Sequence, residues 1–325
     1  ISEGAVVQAD AEGISILSIH SGSFVNNGVF TAGTSDVHFV STSAENLSVS
    51  GSTPTSFDYV FVNTSDQNLV LEQDIDVNLV RFISGRLDLN GHDVELSLRI
   101  EEENDNRHFI GPNGGAIIHQ TTLNAPSAEN PGNLGATISS AANLGEVTIR
   151  RTHVPAVNSG GEGIARRYTI TPANNSDLDA TLRFSYLSHE LNGLPESELV
   201  LWENSGNGWS LQGTTDEAPA ANWLGLSGID SFAEWTAATP GFTPVLELGG
   251  QGTMVISNPF PNPLQPGDRV TLFIQSPAAI DLQLCLTDQL GRALRCREVH
   301  LLNGQQQASM ETIGLAAGLY YLTLS

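Results

Sequence analysis

The chain has 325 residues, with 36 acidic and 13 basic side chains and a net charge of −23. A field of that sign repels nucleic acid and anionic lipid, which argues against both as partners. All the basic residues are arginines, so a lysine nucleophile, a lysine Schiff base and a Lys–Asn isopeptide cross-link are excluded. No apolar run is long enough to form a membrane-spanning helix.

Gly, Ser, Thr, Asn and Gln make up most of the polar remainder, and runs of helix formers are few, so the expected fold class is all-β with many tight turns. The chain opens on Ile1 and not on Met, which is consistent with loss of a secretory leader. From Ile14 to Leu98 short alternating segments are broken by Asn and Gly. "FVNNGVFTAGTSDVHF" (Phe24–Phe39) is echoed by "FISGRLDLNGHDVEL" (Phe82–Leu96). Such echoes predict stacked coils of a short β-solenoid; an ordinary β-sandwich with coincidental echoes is the alternative. "EEEND" (Glu101–Asp105) marks a boundary or an edge, and the Asn-, Gly- and Pro-rich stretch behind it reads as loop.

Strand patterns resume from Gly145 to Thr236, with "ENSGNGWSL" as a hairpin signal. The order of Arg151–His153, Arg167–Pro172, Thr181–Gly193, Leu199–Trp209 and Gly228–Thr236 resembles a β-sandwich module common in large surface proteins of Bacteroidetes. That resemblance implies an extracellular scaffold and carries no catalytic residue. Further on, "NPFPNPLQPGD" is stiff and poor in hydrogen-bond donors, because proline fixes φ and biases the residue before it to extended backbone. Strand-like segments follow it to Ser325.

The motif order Pro261, Asn262, Pro263, then Asp288-x-x-Gly291-Arg292, then Leu315-x-x-Gly318-x-Tyr320-x-Leu322 resembles the type A C-terminal sorting domain of the Bacteroidetes type IX secretion system. The resemblance implies export, delivery to the outer cell surface and a small terminal β-sandwich acting as an address. Members of that family continue past the Tyr-x-Leu strand into a further basic strand, whereas this chain stops at Ser325. The expectation is that the strand was lost in processing or is supplied by another chain. The predicted organisation is a solenoid-like region over 1–105, a β-sandwich over 106–240, a linker over 241–252 and a sorting domain over 253–325.

Chemistry is sparse. The eight histidines (His20, His38, His92, His108, His119, His153, His189 and His300) show no helical zinc spacing. After His189-Glu190 the position of a second ligand is held by Gly193. No nucleophile elbow and no phosphate-cradling loop is present. "EQDIDVN" places Glu72, Asp74 and Asp76 at period two. That pattern fits a solvent-facing strand side, a calcium site or an acid/base pair. Trp202, Trp209, Trp223 and Trp235 belong to a sandwich core unless two of them share an exposed face as a sugar platform.

The expected function is therefore a non-enzymatic, secreted structural or adhesive protein of the cell surface, with no cofactor beyond a calcium option. Its partners are further copies of itself or a surface glycan, together with the secretion machinery. A carbohydrate-binding or carbohydrate-cleaving solenoid is the alternative, marked by an acidic groove with paired carboxylates. Self-association is expected head to tail, with the strand Gly13–Gly22 filling an open sheet edge in a filament. That strand capping its own solenoid is the competing reading.

Two registers remain for the hairpin bearing Cys285 and Cys296. A three-residue loop with Gly291 left-handed pairs Leu284 with Cys296, keeps an apolar row on one face and leaves the thiols unbonded. A two-residue loop pairs Cys285 directly with Cys296. Register follows the buried face, so the first, unbonded arrangement is expected.

Overall fold

The computed structural model describes residues 1–8, 15–41, 44–158, 161–206, 208–242, 254–256, 259, 269–288, 292–316 and 318–324. The described chain is all-β, its only helical pieces being single 3-10 turns. It divides into two compact units, one comprising 1–156, 164–192 and 216–235 and the other 157–163, 193–215 and 236–325.

The first unit begins as a β-solenoid of about five turns. Ile16–Ile19, Asp36–Val40, Thr55–Leu71, Ile75–Asp88, Val94–Glu101 and Ala116–Asn124 pair in parallel, each with the next. A shorter lane of Ser23–Val25 and Leu47–Ser50 pairs the same way and joins the far end of Thr55–Leu71. Parallel register sets like residues above one another. Val37, Val60, Val80 and Ile100 form one inward stack, and Phe39, Val62 and Phe82 another. All seven are buried. Alternate residues point to the core in each strand, and successive coils repeat the pattern.

The echoed segments are not equivalent positions of this repeat. Phe24 lies beside Val49 in the short lane, whereas Phe82 lies beside Val62 in the long one. Corners are made where backbones touch: Gly51, at φ +130°, sits so close to Asn26 that a Cβ there would lie 2.1 Å from the Asn26 carbonyl oxygen. Only glycine tolerates both conditions.

The solenoid sheet continues without a break across residue 105. Asn143–Thr152 and Arg167–Pro172 add to Ala116–Asn124 in antiparallel order. A second antiparallel sheet of Ala136–Ser139, Ala180–Ser185, Trp223–Ile229 and Asp216–Ala218 completes this unit. The edge-to-face contact of Tyr168 with Phe184, ring centroids 4.8 Å apart, joins the two sheets.

In the second unit, Val200–Asn204 and Trp209–Gly213 form the expected hairpin. Asn204 Oδ1 accepts from the Gly206 and Gly208 amides at 3.0 and 3.2 Å, which fixes the turn. Trp202 and Trp209 close edge-on around Phe242.

The terminal residues make two three-stranded sheets. In one, Arg269–Ser276 lies between Val255–Ile256 and Gly304–Glu311. In the other, Ile280–Thr287 lies between Ala293–Leu301 and Tyr321–Leu324. Val270, Leu272, Ile274, Leu284, Leu286, Val299, Leu301, Ala308 and Met310 fill the single core they share.

Two expectations need correction. Cys285 and Cys296 are directly opposite, Cα atoms 4.1 Å apart, and are joined in a disulfide. The unbonded register holds only where the hairpin partner itself completes the apolar row. Instead Leu284 and Leu286 face Leu324 and Leu322 of the other neighbouring strand. On the hairpin side they meet Arg297 and Arg295, and Arg295 turns its guanidinium to the carbonyls of Glu311 and Ile313.

The carboxylates of Glu72, Asp74 and Asp76 do not line one strand. Thr55–Leu71 ends before Glu72 and Ile75–Asp88 starts after Asp74, so the solenoid corner interrupts the alternation that put them together. Ile16–Ile19, for its part, is a rung of its own solenoid, the outermost among the described residues, paired on the side of Asp36–Phe39.

Candidate functional site

Three places concentrate polar chemistry. The first is the flank of the solenoid. Parallel register brings Ser56, Asp76 and Glu95 into line on successive coils. Ser56 Oγ donates to Asp76 at 2.8 Å, and Asn78 donates to Asp58 at 2.7 Å. These residues, with Phe57 beneath them, line an open groove of about 520 Å³. Partial burial and the neighbouring charges of Asp76 and Asp93 raise the Glu95 carboxyl above its ordinary value.

Asp74 lies at the corner, accepting from the Asp93 amide at 2.9 Å and meeting His92 Nδ1 at 3.2 Å. Those contacts lower its carboxyl, the Asp93 bond most. Glu72 is exposed in the same corner. Of the three carboxylates singled out from the sequence, only Asp76 enters the groove, and its companions there, Asp58 and Glu95, were missed because they come from other coils. Among the described residues no group of three or more His, Cys, Asp or Glu is arranged to hold a metal ion.

The second place is buried inside the first unit. Arg151 grips Glu103 through two bonds of 2.7 and 2.8 Å. Arg166 grips Glu190 through two of 2.7 and 2.9 Å, and His153 Nδ1 meets the same carboxylate at 3.0 Å. Arg151, His153, Arg166 and Glu190 are all 5% exposed or less.

Burial would push both acids upward, but Arg151 pulls Glu103 down to about 2 and Arg166 holds Glu190 far below the carboxylate range. Burial lowers His153 to about 4, so near neutrality its ring is uncharged and donates from Nδ1 to Glu190. Glu190 also accepts from the Leu187 amide at 2.8 Å, which fixes the 3-10 turn Ser188–Leu191. Beside this network His108 stacks on His189, centroids 3.6 Å apart, and Asp105 accepts from Ser188 and the His189 amide. The arrangement clamps four chain segments together. Its only sequence signal was the doubled arginines at 150–151 and 166–167 within strand patterns.

The third place is the terminal sandwich. Arg292 closes the Asp288–Arg292 turn with its amide and its guanidinium on the Asp288 carboxylate, at 3.0 and 2.7 Å. Tyr320 donates to the Ala316 carbonyl at 2.7 Å and packs on the apolar core, and Gly318 runs beside its ring. Pro261, Asn262, Pro263 and Gly291 lie outside the described residues.

The tryptophans do not make a sugar platform, since Trp202, Trp209 and Trp235 are buried. The remaining one, Trp223, is half-buried under the Arg183 guanidinium, 4.4 Å from its ring centre.

No family model, curated protein or solved structure matches the chain. The two resemblances therefore stand on the motif residues themselves.

Proposed function

We propose that the chain is a secreted structural or adhesive protein of the outer cell surface, exported through a type IX sorting domain and associating with further copies of itself. The observation that carries the reading is the Cys285–Cys296 bridge. Disulfides form and persist in oxidising compartments, and this one ties the hairpin that bears the sorting-domain turn. Deleting residues 253–325 and fractionating the cells tests the route. Retention in the periplasm is the expected result, and normal surface delivery of the truncated chain overturns it.

Self-association is supported by the outermost solenoid rung. Ile16 is 65% exposed and Leu17 37%. Among the described residues the rung's ladder runs on one side only. An open edge of this kind accepts a strand from another chain. Removing residues 1–21 is expected to abolish assembly by strand addition, and assemblies left intact by that truncation exclude it.

The groove of Asp58, Asp76 and Glu95 favours a second reading, a carbohydrate-binding or carbohydrate-cleaving flank, because carboxylates aligned on successive coils offer acceptors for sugar hydroxyls. Binding or cleavage in a polysaccharide panel that disappears in Asp76→Asn/Glu95→Gln would establish that reading over the first.

A further inference from the structure

The arginines of this acidic chain are mostly neutralised where they stand: Arg81, Arg99, Arg107, Arg150, Arg151, Arg166 and Arg167 each pair with a carboxylate in the first unit. In the terminal sandwich Arg292 is paired with Asp288 in the same way, but three other arginines are gathered together. Arg269, Arg295 and Arg297 line one pocket of about 370 Å³ beside Cys296 and Ser309, with Glu311 as the only acid among its described lining residues. Glu311 meets Arg269 loosely, at 3.8 Å and with both side chains more than half exposed. Arg295 spends its guanidinium on backbone carbonyls, and Arg297, which is exposed, has no carboxylate partner among the described residues. The pocket is a local positive field on a molecule of net charge −23.

The solenoid flank is its complement. Asp58, Asp76 and Glu95 line an open groove with no arginine in its wall. Partial burial, with the nearby charges of Asp76 and Asp93, raises Glu95, and a cation brought from outside to this row of carboxylates would be attracted to it. Arginine guanidinium groups and carboxylates match in geometry as well as sign. Complementary patches steer association and fix its register.

We infer that the Arg269–Arg295–Arg297 pocket of one copy docks on the Asp58–Asp76–Glu95 flank of the next, an electrostatic clasp that sets the order of head-to-tail assembly. The inference rests on the self-association proposed above but not on strand addition as its means. A contact between two different patches is heterologous, and it builds open fibres or closed rings.

Charge reversal in the full chain tests it by sedimentation velocity, with circular dichroism confirming that each variant is folded. Arg269→Glu/Arg297→Glu is expected to weaken association at least tenfold, as is Asp76→Arg/Glu95→Arg. An equimolar mixture of the two is expected to restore it, because each supplies the other's complement. Arg86→Glu/Arg183→Glu makes the same change in net charge elsewhere and is expected to leave association within threefold of wild type.

A wild-type chain that stays monomeric at every concentration overturns both the clasp and the self-association reading. An equal loss in the Arg86/Arg183 variant would refute the clasp alone. So would reversed patches that associate like wild type, or folded variants whose mixture fails to recover. Restoration by mixing in chains that also lack residues 1–21 would keep the clasp and dismiss strand addition.

Discussion

Replacing Glu190 with Gln tests the buried charge network at its most connected residue. Glu190 accepts from Arg166 at 2.7 and 2.9 Å, from His153 at 3.0 Å and from the Leu187 amide at 2.8 Å. The isosteric amide keeps the volume but removes the charge and turns an NH2 group toward donors. Arg166, 3% exposed, is then a buried cation without its counter-ion. Breaking a buried pair in this way costs about 3 to 5 kcal/mol, a factor of at least about 100 in the folding equilibrium.

Urea unfolding followed by tryptophan fluorescence measures the loss, because Trp235 is buried in the same unit. The double variant Glu190→Leu/Arg166→Met supplies the discriminating arm. Apolar replacement of a whole buried pair is close to neutral, so the double variant should be more stable than the single one. A single-variant cost below about 1 kcal/mol, the range of a surface pair, would refute the reasoning. A double variant no better than the single would do the same.

Three further outcomes follow from the structure. Thiol labelling of the denatured chain without reductant should find no free cysteine. Reduction should destabilise the terminal sandwich by about 3 kcal/mol, the loop-closure value for the separation of 11 residues. Gly51→Ala should cost more than about 1 kcal/mol, because its Cβ would strike the Asn26 carbonyl; a thermal melt unchanged from wild type would contradict the packing of that corner.

The pH dependence has two arms. Glu103 is lowered from 4.5 to about 2 and His153 from 6.5 to about 4. The unfolded chain therefore binds more protons than the folded one across those windows, and stability falls as pH drops from 6.5 toward 2. Glu203 is pushed by burial from 4.5 to about 7, so its contribution runs the other way and is lost as pH rises through that interval. Glu203→Gln should thus be stabilising relative to wild type above pH 7, and urea midpoints at pH 5 and pH 8 check the sign.

How much of this was legible follows from the range of each interaction. Alternation within a strand is local, so the all-β class and the hairpin at Asn204 could be read from neighbouring residues, whereas the solenoid was inferred from echoes that turn out not to be equivalent positions of its repeat. Stacking is not local: Val80 meets Val60 on one side and Ile100 on the other only because each coil closes at that length, and the echo between Phe24 and Phe82 did not report it. Asp58, Asp76 and Glu95 converge for the same reason, which is why a period-two pattern inside one segment pointed instead to Glu72 and Asp74. The cysteine register was misjudged because the hairpin was weighed alone, while its central strand takes its apolar partners from Tyr321–Leu324. The buried network left almost no trace, since arginine and glutamate in strands ordinarily mark the solvent side.

The central claim is that copies of this chain join outside the cell into an ordered surface structure. Negative-stain electron microscopy of the native secreted material, with antibody against the chain as the label, tests it most directly. The account predicts labelled filaments or rings with one repeat per copy. Uniform free monomers in that material would contradict it.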